Sequence, residues 1–263
     1  MHDARAREDR ERSMFKLKRS VMACLLLVAG GMAADAQVPA ANRLTAAERA
    51  AGWTLLVDGR DLSGWRSFAG GDAPPTWRVQ DGAIVLVKDD GQMSGTDLVT
   101  AKSFGAFELT LDWKVAKGGN SGVLYLARNI PQTRQVYETG LEMQVLDDAG
   151  HADGKIPSHR AGALYDMTVP PPGTARPAGS WNRARLLVEP GRIRQWLNGV
   201  MTADVSYGDD AWRRRVAGSK FAKMPYFGTF ASGVIALQDH GEPVAFRNIK
   251  LRPIAASAVA DKP

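Results

Sequence analysis

From residue 52 onwards, hydrophobic and polar residues alternate in short runs separated by Gly, Asp, Asn and Pro. The clearest run is FELTLDWKV, residues 107–115, in which every second residue is apolar. Side chains of a β-strand point alternately to its two faces, so this pattern predicts a strand with one dry face and one wet face. Further candidate strands lie in WTLLVDG, TWRVQDGAIVLV, DLVTAK, SGVLYLAR, GLEMQVLD, GALYDM, WNRARLLVEPGRIRQWLNGV, GVIALQDHG and VAFRNIKLRPI. The spacing predicts an all-β domain built as an antiparallel two-sheet sandwich.

Turn signals support this prediction. Residues 189–192, Glu-Pro-Gly-Arg, separate two apolar runs and predict a hairpin, and Asn198-Gly199 predicts another tight turn. The Pro-rich residues 169–177 predict a surface loop. Thr45 with Glu48 three residues later predicts a short capped helix within residues 37–51. No second α/β or helical region follows, so we expect one domain over residues 52–254.

The N-terminus has the layout of a secretory signal peptide over residues 1–36. Lys16, Lys18 and Arg19 precede an apolar run that ends in Ala-Asp-Ala, and we expect cleavage after Ala36. The apolar run is shorter than the ~20 residues that a membrane span needs. The only cysteine, Cys24, lies in this segment. The sequence therefore predicts a secreted or periplasmic protein without disulfides, followed at its end by a disordered tail over residues 255–263.

The charge pattern gives little sign of a nucleic-acid partner. The whole chain has a net charge of +6, and removal of residues 1–36 leaves 27 basic and 23 acidic residues. The clearest basic cluster is residues 213–215, with Lys220 and Lys223 nearby, and it has no interleaving of aromatic residues that resembles a nucleic-acid surface. We interpret this cluster as a solvated loop and expect no nucleic-acid partner.

The run GLEMQVLD, residues 140–147, carries polar residues where a buried strand should carry hydrophobic ones. An unbroken strand would point Leu141, Met143 and Val145 to one face. Glu142 and Gln144 would then point to the other face. We expect the first face to join the core and the second to contact a ligand.

The same arrangement recurs in VIALQDHG, residues 234–241. Alternation places Ile235, Leu237 and Asp239 on one face, which favours a structural hydrogen bond for Asp239. Gln238 and His240 would lie on the other face. We expect the polar faces of these two runs to meet in one cleft.

Taken together, these segments resemble the 3-keto-disaccharide hydrolase family, long known only as a domain of unknown function. The resemblance covers residues 52–253 and rests on six motifs in the expected order: GWTLLVDGRDLSGW, GGNSGVLYLAR, GLEMQVLDD, AGALYDM, SWNRARLLVEPGRIRQWLNG and GVIALQDHGEPVAFRNIKLRPI. It implies a concanavalin-like jelly-roll sandwich of two antiparallel sheets. It also implies export and action on 3-keto-glycosides, which are glycosides already oxidised at C3 of the sugar.

A ketone at C3 makes the C2 hydrogen acidic, so a base can remove it and the C1 substituent can leave by β-elimination. Hydration of the product then completes a net hydrolysis. Such a site needs a base, an enolate stabiliser and an acid near the leaving oxygen. Glu142 and His240 are the candidate catalytic residues. A divalent cation would also stabilise the enolate, and Glu142, Asp147 and His240 are the candidate ligands for Mn, Fe, Zn or Ca; no organic cofactor is expected.

Several polar residues are candidates for binding a sugar. Asn120 and Ser121 lie in the glycine-rich GGNSG, and His151 and His159 lie in a loop that could cover the cleft. We interpret these two histidines as exposed loop residues. The predicted substrate-binding set is Asn120, Ser121, Arg128, Gln144, Tyr165, Gln238 and Lys114.

Two other functions stay open from the residues alone. A conventional two-carboxylate glycosidase would use Glu142 and Asp147, which an unbroken strand would place on opposite faces, so it would need a bulge. A non-catalytic carbohydrate-binding module is the other alternative, since one fold hosts many functions. The sequence leaves the substrate's identity and the oligomeric state undetermined.

Overall fold

Two antiparallel β-sheets pack face to face in the computed structural model, which describes residues 41–87 and 96–254. The predicted signal peptide, Cys24 and the C-terminal tail lie outside the described residues. The strands are β1 (Thr54–Leu55), β2 (Trp65–Ser67), β3 (Trp77–Gln80), β4 (Ala83–Leu86), β5 (Leu98–Thr100), β6 (Phe107–Val115), β7 (Asn120–Ala127), β8 (Leu141–Leu146), β9 (Asn182–Glu189), β10 (Arg192–Leu197), β11 (Val200–Ser206), β12 (Val234–Leu237) and β13 (Val244–Pro253).

Helices are few among the described residues. They are α1 (Ala46–Ala50), α2 (Asp210–Ala217) and the 3₁₀ turns Val136–Glu138, Ala152–Lys155, Pro157–His159 and Lys220–Lys223. The predicted capping box is present on α1, where Thr45 and Glu48 bond reciprocally. None of the described helices is both long and apolar enough to span a bilayer.

The larger sheet has eight strands in the order β11-β10-β9-β6-β13-β4-β3, with β1 paired to β13. The smaller sheet has five strands in the order β2-β5-β12-β7-β8. Every pair is antiparallel, and chain-distant strands such as β6 and β13 lie side by side. The predicted jelly-roll sandwich of two antiparallel sheets is confirmed.

The core lies between the sheets and follows the predicted alternation. Phe107, Leu109 and Leu111 of β6 face it from the larger sheet. Leu141 and Met143 of β8 face it from the smaller one. Burial of such side chains is worth roughly 1.5–3 kcal/mol each, which fixes the register of both strands. The register in turn decides which residues face outward.

The outer face of the smaller sheet is divided in two. One part is apolar and contains Val99, Leu124, Ala127 and Ala236, which pack in a cluster separate from the main core. The other part, along β7 and β8, is polar and holds the candidate site.

Some local predictions were wrong. GALYDM forms no strand, although Leu164 makes an isolated bridge with Met143 of β8. Residues 213–215 lie in α2 and not in a loop, because Asp209 caps the helix through the Trp212 N–H and Trp212 is buried. β7 begins at Asn120, one residue before the predicted run SGVLYLAR. In contrast, both predicted hairpin turns are present, and Asn198 and Gly199 adopt φ values of 50° and 85°.

Candidate functional site

A cavity of about 350 Å³ opens on the outer face of the smaller sheet, and we call it the polar cavity. Its lining combines amide, carboxylate, ammonium, imidazole and aromatic groups. The lining residues are Asn120, Tyr137, Glu142, Gln144, Asp153, Tyr165, Lys220, Phe221, Met224, Gln238 and His240. The predicted convergence of Glu142 and Gln144 with Gln238 and His240 is thus present in the structure.

The floor of the polar cavity is formed by β7, β8 and the residues that follow β12. Gly122 lies opposite Gln144, and the Gln238 N–H donates to the Gly122 carbonyl at 3.0 Å. β8 pairs with β7 without a register shift, so Glu142 and Gln144 share one face along its length. Regular pairing therefore holds the acidic and amide groups together.

Glu142 is 6% exposed and has no ion-pair partner within 4.0 Å among the described residues. Burial raises the pKa of its carboxyl to about 8, the more distant Lys220 opposes that rise, and Asp97 and Asp153 add to it. With its nitrogen turned towards the carboxylate, the Gln144 amide donates to Glu142 Oε1 at 3.1 Å. A buried carboxyl of this kind is suited to proton transfer near neutral pH.

Gly122 makes room for this carboxyl. A Cβ atom at position 122 would lie 2.9 Å from Cδ and 3.0 Å from Cγ of Glu142. Such distances are too short for carbon atoms, so any larger residue would displace the side chain. The glycine in GGNSG therefore serves the carboxylate on the neighbouring strand.

One wall comes from the segment that follows β8. The Tyr165 N–H donates to the Glu142 carbonyl at 3.0 Å, which covers the free edge of the sheet. The Tyr165 hydroxyl donates to Asp153 Oδ2 at 3.1 Å. His159 lies behind them, with its ring nitrogens 3.5 Å from Asp153 Oδ2 and 3.0 Å from Asp166 Oδ1. This network fixes Asp153 and Tyr165 against the cavity.

The adjoining wall comes from the 3₁₀ turn after α2, whose Phe221 ring lies 6.4 Å, centroid to centroid, from that of Tyr165. Phe221 stacks on Phe227 with centroids 3.9 Å apart, and this contact anchors the turn. Lys220 and Met224 then reach the polar cavity from the two ends of the turn. The wall therefore offers one cation beside apolar surface.

His240 lies at the mouth of the polar cavity, and 48% of its side chain is exposed. Its Nδ1 is 3.1 Å from Glu242 Oε2, and its ring centroid is 6.2 Å from that of His151. The preceding Asp239 is buried and accepts a hydrogen bond from the Gly241 N–H, as predicted. Its own N–H donates to Asp97, whose pKa burial raises to about 7.

Three predicted sugar-binding residues lie elsewhere. Ser121 alternates with Asn120 on β7, is fully buried, and donates to the Gln238 carbonyl at 2.8 Å. Arg128 lies past the end of β7, where it donates to the Ser232 carbonyl. Lys114 is on β6 in the other sheet, with Nζ 4.9 Å from the Trp181 ring centroid. Ser121, Arg128 and Lys114 were therefore wrongly included in the predicted sugar-binding set. Ser121 points to the other face of its strand, and Lys114 belongs to the other sheet.

The three predicted metal ligands do not meet in one cluster, although Glu142 and His240 line the same cavity. Asp147 follows β8 and points away from the polar cavity, because its Oδ2 accepts the Gly118 N–H at 2.8 Å. Among residues 41–87 and 96–254, no group of three His, Cys, Asp or Glu side chains is arranged to hold a metal ion. Glu142, Asp147 and His240 therefore do not form a fitted ligand set in this structure.

Five lining residues are not among the predicted site residues: Tyr137, Asp153, Lys220, Phe221 and Met224. All five lie in or next to 3₁₀ turns, outside the sheets. Strand alternation carries no information about such segments. The only local signal for Lys220 and Phe221 was a basic residue next to an aromatic one. We had grouped Lys220 with the neighbouring basic residues as part of a solvated loop.

The chain is similar to several proteins described as hydrolases of sugars. The chain is 33% identical over 226 residues to a 3-keto-disaccharide hydrolase of Bacteroides thetaiotaomicron, covering 76% of this chain and 78% of the relative. A crystal structure of a provisionally assigned glycosyl hydrolase of Parabacteroides distasonis matches with a TM-score of 0.75 and 35% identity, covering 82% of this chain and all of that one. A second such protein of that organism matches with a TM-score of 0.58 and 25% identity, covering 77% and 99%.

The match to a family description covers the same part of the chain as the sheets and the polar cavity. It extends over residues 52–252, from just before β1 into β13. The chain belongs to the family of the 3-keto-alpha-glucoside-1,2-lyase-like domain.

Proposed function

We propose that the protein hydrolyses the glycosidic bond of 3-keto-glycosides by β-elimination followed by hydration. The observation that carries the proposal is Glu142, a buried carboxyl without an ion-pair partner among the described residues, on the floor of a polar cavity. Its raised pKa fits a group that exchanges protons with a weakly acidic carbon. Family membership and the name of the Bacteroides relative support a ketone-bearing sugar as the substrate.

Glu142 takes the role of base. Its carboxylate removes the C2 proton, and the electron pair of the broken C–H bond moves onto the C3 oxygen to give an enolate. A carboxylate with a pKa of about 8 is a stronger base than an ordinary glutamate. The amides of Asn120, Gln144 and Gln238 on the cavity floor would hold the sugar hydroxyls during this step.

The enolate then expels the C1 substituent, with formation of a C1–C2 double bond. The departing oxygen needs a proton, and His240 at the cavity mouth is the proposed donor. Its bond to Glu242 orients the ring. Addition of water across the double bond gives the free 3-keto sugar and restores Glu142 for the next cycle.

The test is a pair of chromogenic substrates, a 3-keto glucoside and its unoxidised parent with the same leaving group. We expect release from the keto compound alone. Equal release from both would contradict the elimination route, because the parent has no acidic C2 hydrogen. Parallel assays with EDTA test the divalent metal that the sequence predicts.

A second candidate is a conventional glycosidase, and one observation favours it. The polar cavity is lined by two carboxyl groups, Glu142 and Asp153, and burial keeps Glu142 protonated near neutral pH. A protonated acid facing a carboxylate is the arrangement of two-carboxylate glycosidases. Asp153 takes the place predicted for Asp147, which is bonded to Gly118. Cleavage of the unoxidised parent, lost in Asp153→Asn, would establish this alternative.

We further propose that the protein is exported after removal of residues 1–36. The basic segment, apolar run and Ala-Asp-Ala sequence support this proposal. Intact-mass measurement on protein recovered from the periplasm or medium would test it. A chain that retains residues 1–36 in the cytosol would contradict it.

A further inference from the structure

Lys220 is held at the polar cavity by its main chain. Its N–H donates to Asp166 Oδ2 at 2.7 Å, and Ser219 caps the 3₁₀ turn that begins there. The next residue, Phe221, is buried and stacked on Phe227. The backbone position of Lys220 is therefore fixed, although the residue as a whole remains solvent-exposed.

The side chain extends over an aromatic surface into the polar cavity. Nζ lies 3.8 Å from the centroid of the Tyr165 ring and 5.2 Å from that of Phe221. Contact with an aromatic face holds an ammonium group without using its hydrogen-bond donors. Lys220 is thus positioned by ring contacts, with its N–H groups left available.

No carboxylate in the described part of the chain lies within 4.0 Å of Lys220 Nζ. Glu142, Asp153 and Asp166 act on it from further away. Desolvation lowers the pKa of its ammonium, and these three carboxylates oppose that change. By contrast, Lys250 and Glu48 are in direct contact at 2.6 Å. Lys220 instead lines the same polar cavity as Glu142 without forming an ion pair with it.

This arrangement matches the charge movement of the proposed reaction. Before proton transfer the negative charge is on Glu142, and afterwards it is on the enolate oxygen at C3. A cation that contacts the C3 oxygen stabilises the second state more than the first, because the charge has moved next to it, and partial desolvation strengthens this effect. No other Lys or Arg lines the polar cavity among the described residues.

We propose that Lys220 is a catalytic residue that donates a hydrogen bond to the C3 oxygen and stabilises the enolate formed by Glu142. This inference rests on the proposed function. As the C2–H bond breaks and the Glu142 O–H bond forms, the electron pair is delocalised onto O3 beside the Lys220 ammonium. When the C1–O bond then breaks, that pair forms the C1–C2 double bond, and Lys220 is unchanged.

The experiment separates enolate formation from bond cleavage. The probe for enolate formation is 1,5-anhydro-3-keto-glucitol in D₂O, which has no aglycone, and NMR follows loss of its C2 hydrogen. The probe for cleavage is the chromogenic 3-keto glucoside. The variants are Lys220→Met and, as the matched control on the same turn, the exposed Lys223→Met.

We expect Lys220→Met to slow both exchange and release about 100-fold, the usual loss for removal of one oxyanion donor. Lys223→Met should stay within about twofold of the wild type, because a solvated cation outside the cavity contributes little. Exchange at the wild-type rate in Lys220→Met would overturn the proposal. If release alone were lost, Lys220 would act on the leaving oxygen instead.

A rescue experiment guards against a folding artefact. Lys220→Cys should exchange the C2 hydrogen as slowly as Lys220→Met. Aminoethylation of that cysteine with 2-bromoethylamine replaces the cation and should raise the exchange rate at least about tenfold. The wild type treated in the same way controls for modification of other nucleophilic side chains. Absence of rescue in a variant with a wild-type urea midpoint would contradict the proposal. A wild type that neither exchanges nor releases would refute the proposed function itself.

Discussion

Glu108 and Glu142 are equally buried glutamates on the two sheets, yet their surroundings are opposite. Glu108 is 5% exposed and accepts hydrogen bonds from Arg185 at 2.6 Å and from two nitrogens of Arg252 at 2.8 and 2.6 Å. Glu142 is 6% exposed and contacts the Gln144 amide. Lys220, the cation that lines the cavity, acts on it only from a distance and forms no ion pair with it. A carboxylate saturated by arginines stabilises a sheet, whereas an uncompensated one is available for chemistry.

The absence of a cation partner at Glu142 among the described residues lowers the stability of the folded protein. A buried carboxylate without a cation costs several kcal/mol when ionised, and in practice the cost appears as a raised pKa. Gly122, which leaves space for the Glu142 side chain, and the surrounding carboxylates maintain that state. Perturbed groups of this kind concentrate at functional sites. The comparison therefore makes Glu142, and not Glu108, the group to test for catalysis.

The largest expected effect is on turnover in Glu142→Gln. The substitution keeps the volume and removes the base, so release from the 3-keto glucoside should fall at least about 1,000-fold. Far-UV circular dichroism and the urea midpoint should show a folded protein. Turnover near the wild-type rate would exclude Glu142 as the base, and Glu108→Gln is the matched control, expected to stay within about threefold because it touches no cavity residue.

Gly122→Ala should come next, because it moves Glu142 without changing its chemistry. The added Cβ would lie 2.9 Å from Glu142 Cδ, and displacement of a catalytic group by about 1 Å can cost about 100-fold in rate. Gly105→Ala is the control, since its Cβ would meet nothing nearer than 3.5 Å. If both alanine variants kept full turnover, the fit between Gly122 and Glu142 would have no catalytic importance.

Glu108→Gln should show the reverse profile, with stability lost and turnover kept. The substitution removes the shared negative charge and one of the two acceptor oxygens from Arg185 and Arg252, and loss of a buried charged partner costs about 3–5 kcal/mol. Both arginine side chains are 40% exposed, so water can solvate them in the variant and reduce this cost. We therefore expect the free energy of unfolding to fall by about 2 kcal/mol. Urea unfolding would measure it. An unchanged midpoint would mean that the two ion pairs contribute nothing net.

Much of this contrast could be predicted from the sequence, because strand alternation is a local property. The polar faces of GLEMQVLD and VIALQDHG both reach the polar cavity, since the core residues between them fix the register. The same rule, applied to residues 120 and 121, would have separated Asn120 from the buried Ser121.

The remaining site residues depend on contacts that no local pattern encodes. Lys114 lies on the wet face of its strand, as alternation requires, but that strand belongs to the other sheet. Asp147 is one residue past β8 and bonds to the Gly118 N–H, across a turn whose geometry the sequence does not reveal. Asp153 and Lys220 reach the cavity from 3₁₀ turns that only tertiary packing positions.

The smallest expected effect is a change in how stability depends on pH. The Glu142 carboxyl keeps its proton up to about pH 8 in the folded chain, against an ordinary value of 4.5 when unfolded. Between these values the folded state binds more protons, so stability is full below pH 4.5 and falls as pH rises towards 8. Between about pH 6 and pH 7 the wild type should lose about 1.4 kcal/mol more than Glu142→Gln, which has no proton to hold. The proton that Asp97 itself binds is present in both proteins and cancels in the difference, whereas the repulsion between Asp97 and Glu142 is part of the effect measured. Urea unfolding at the two pH values measures this, and parallel curves would show that Glu142 is solvated like an ordinary surface glutamate, which would remove the contrast with Glu108.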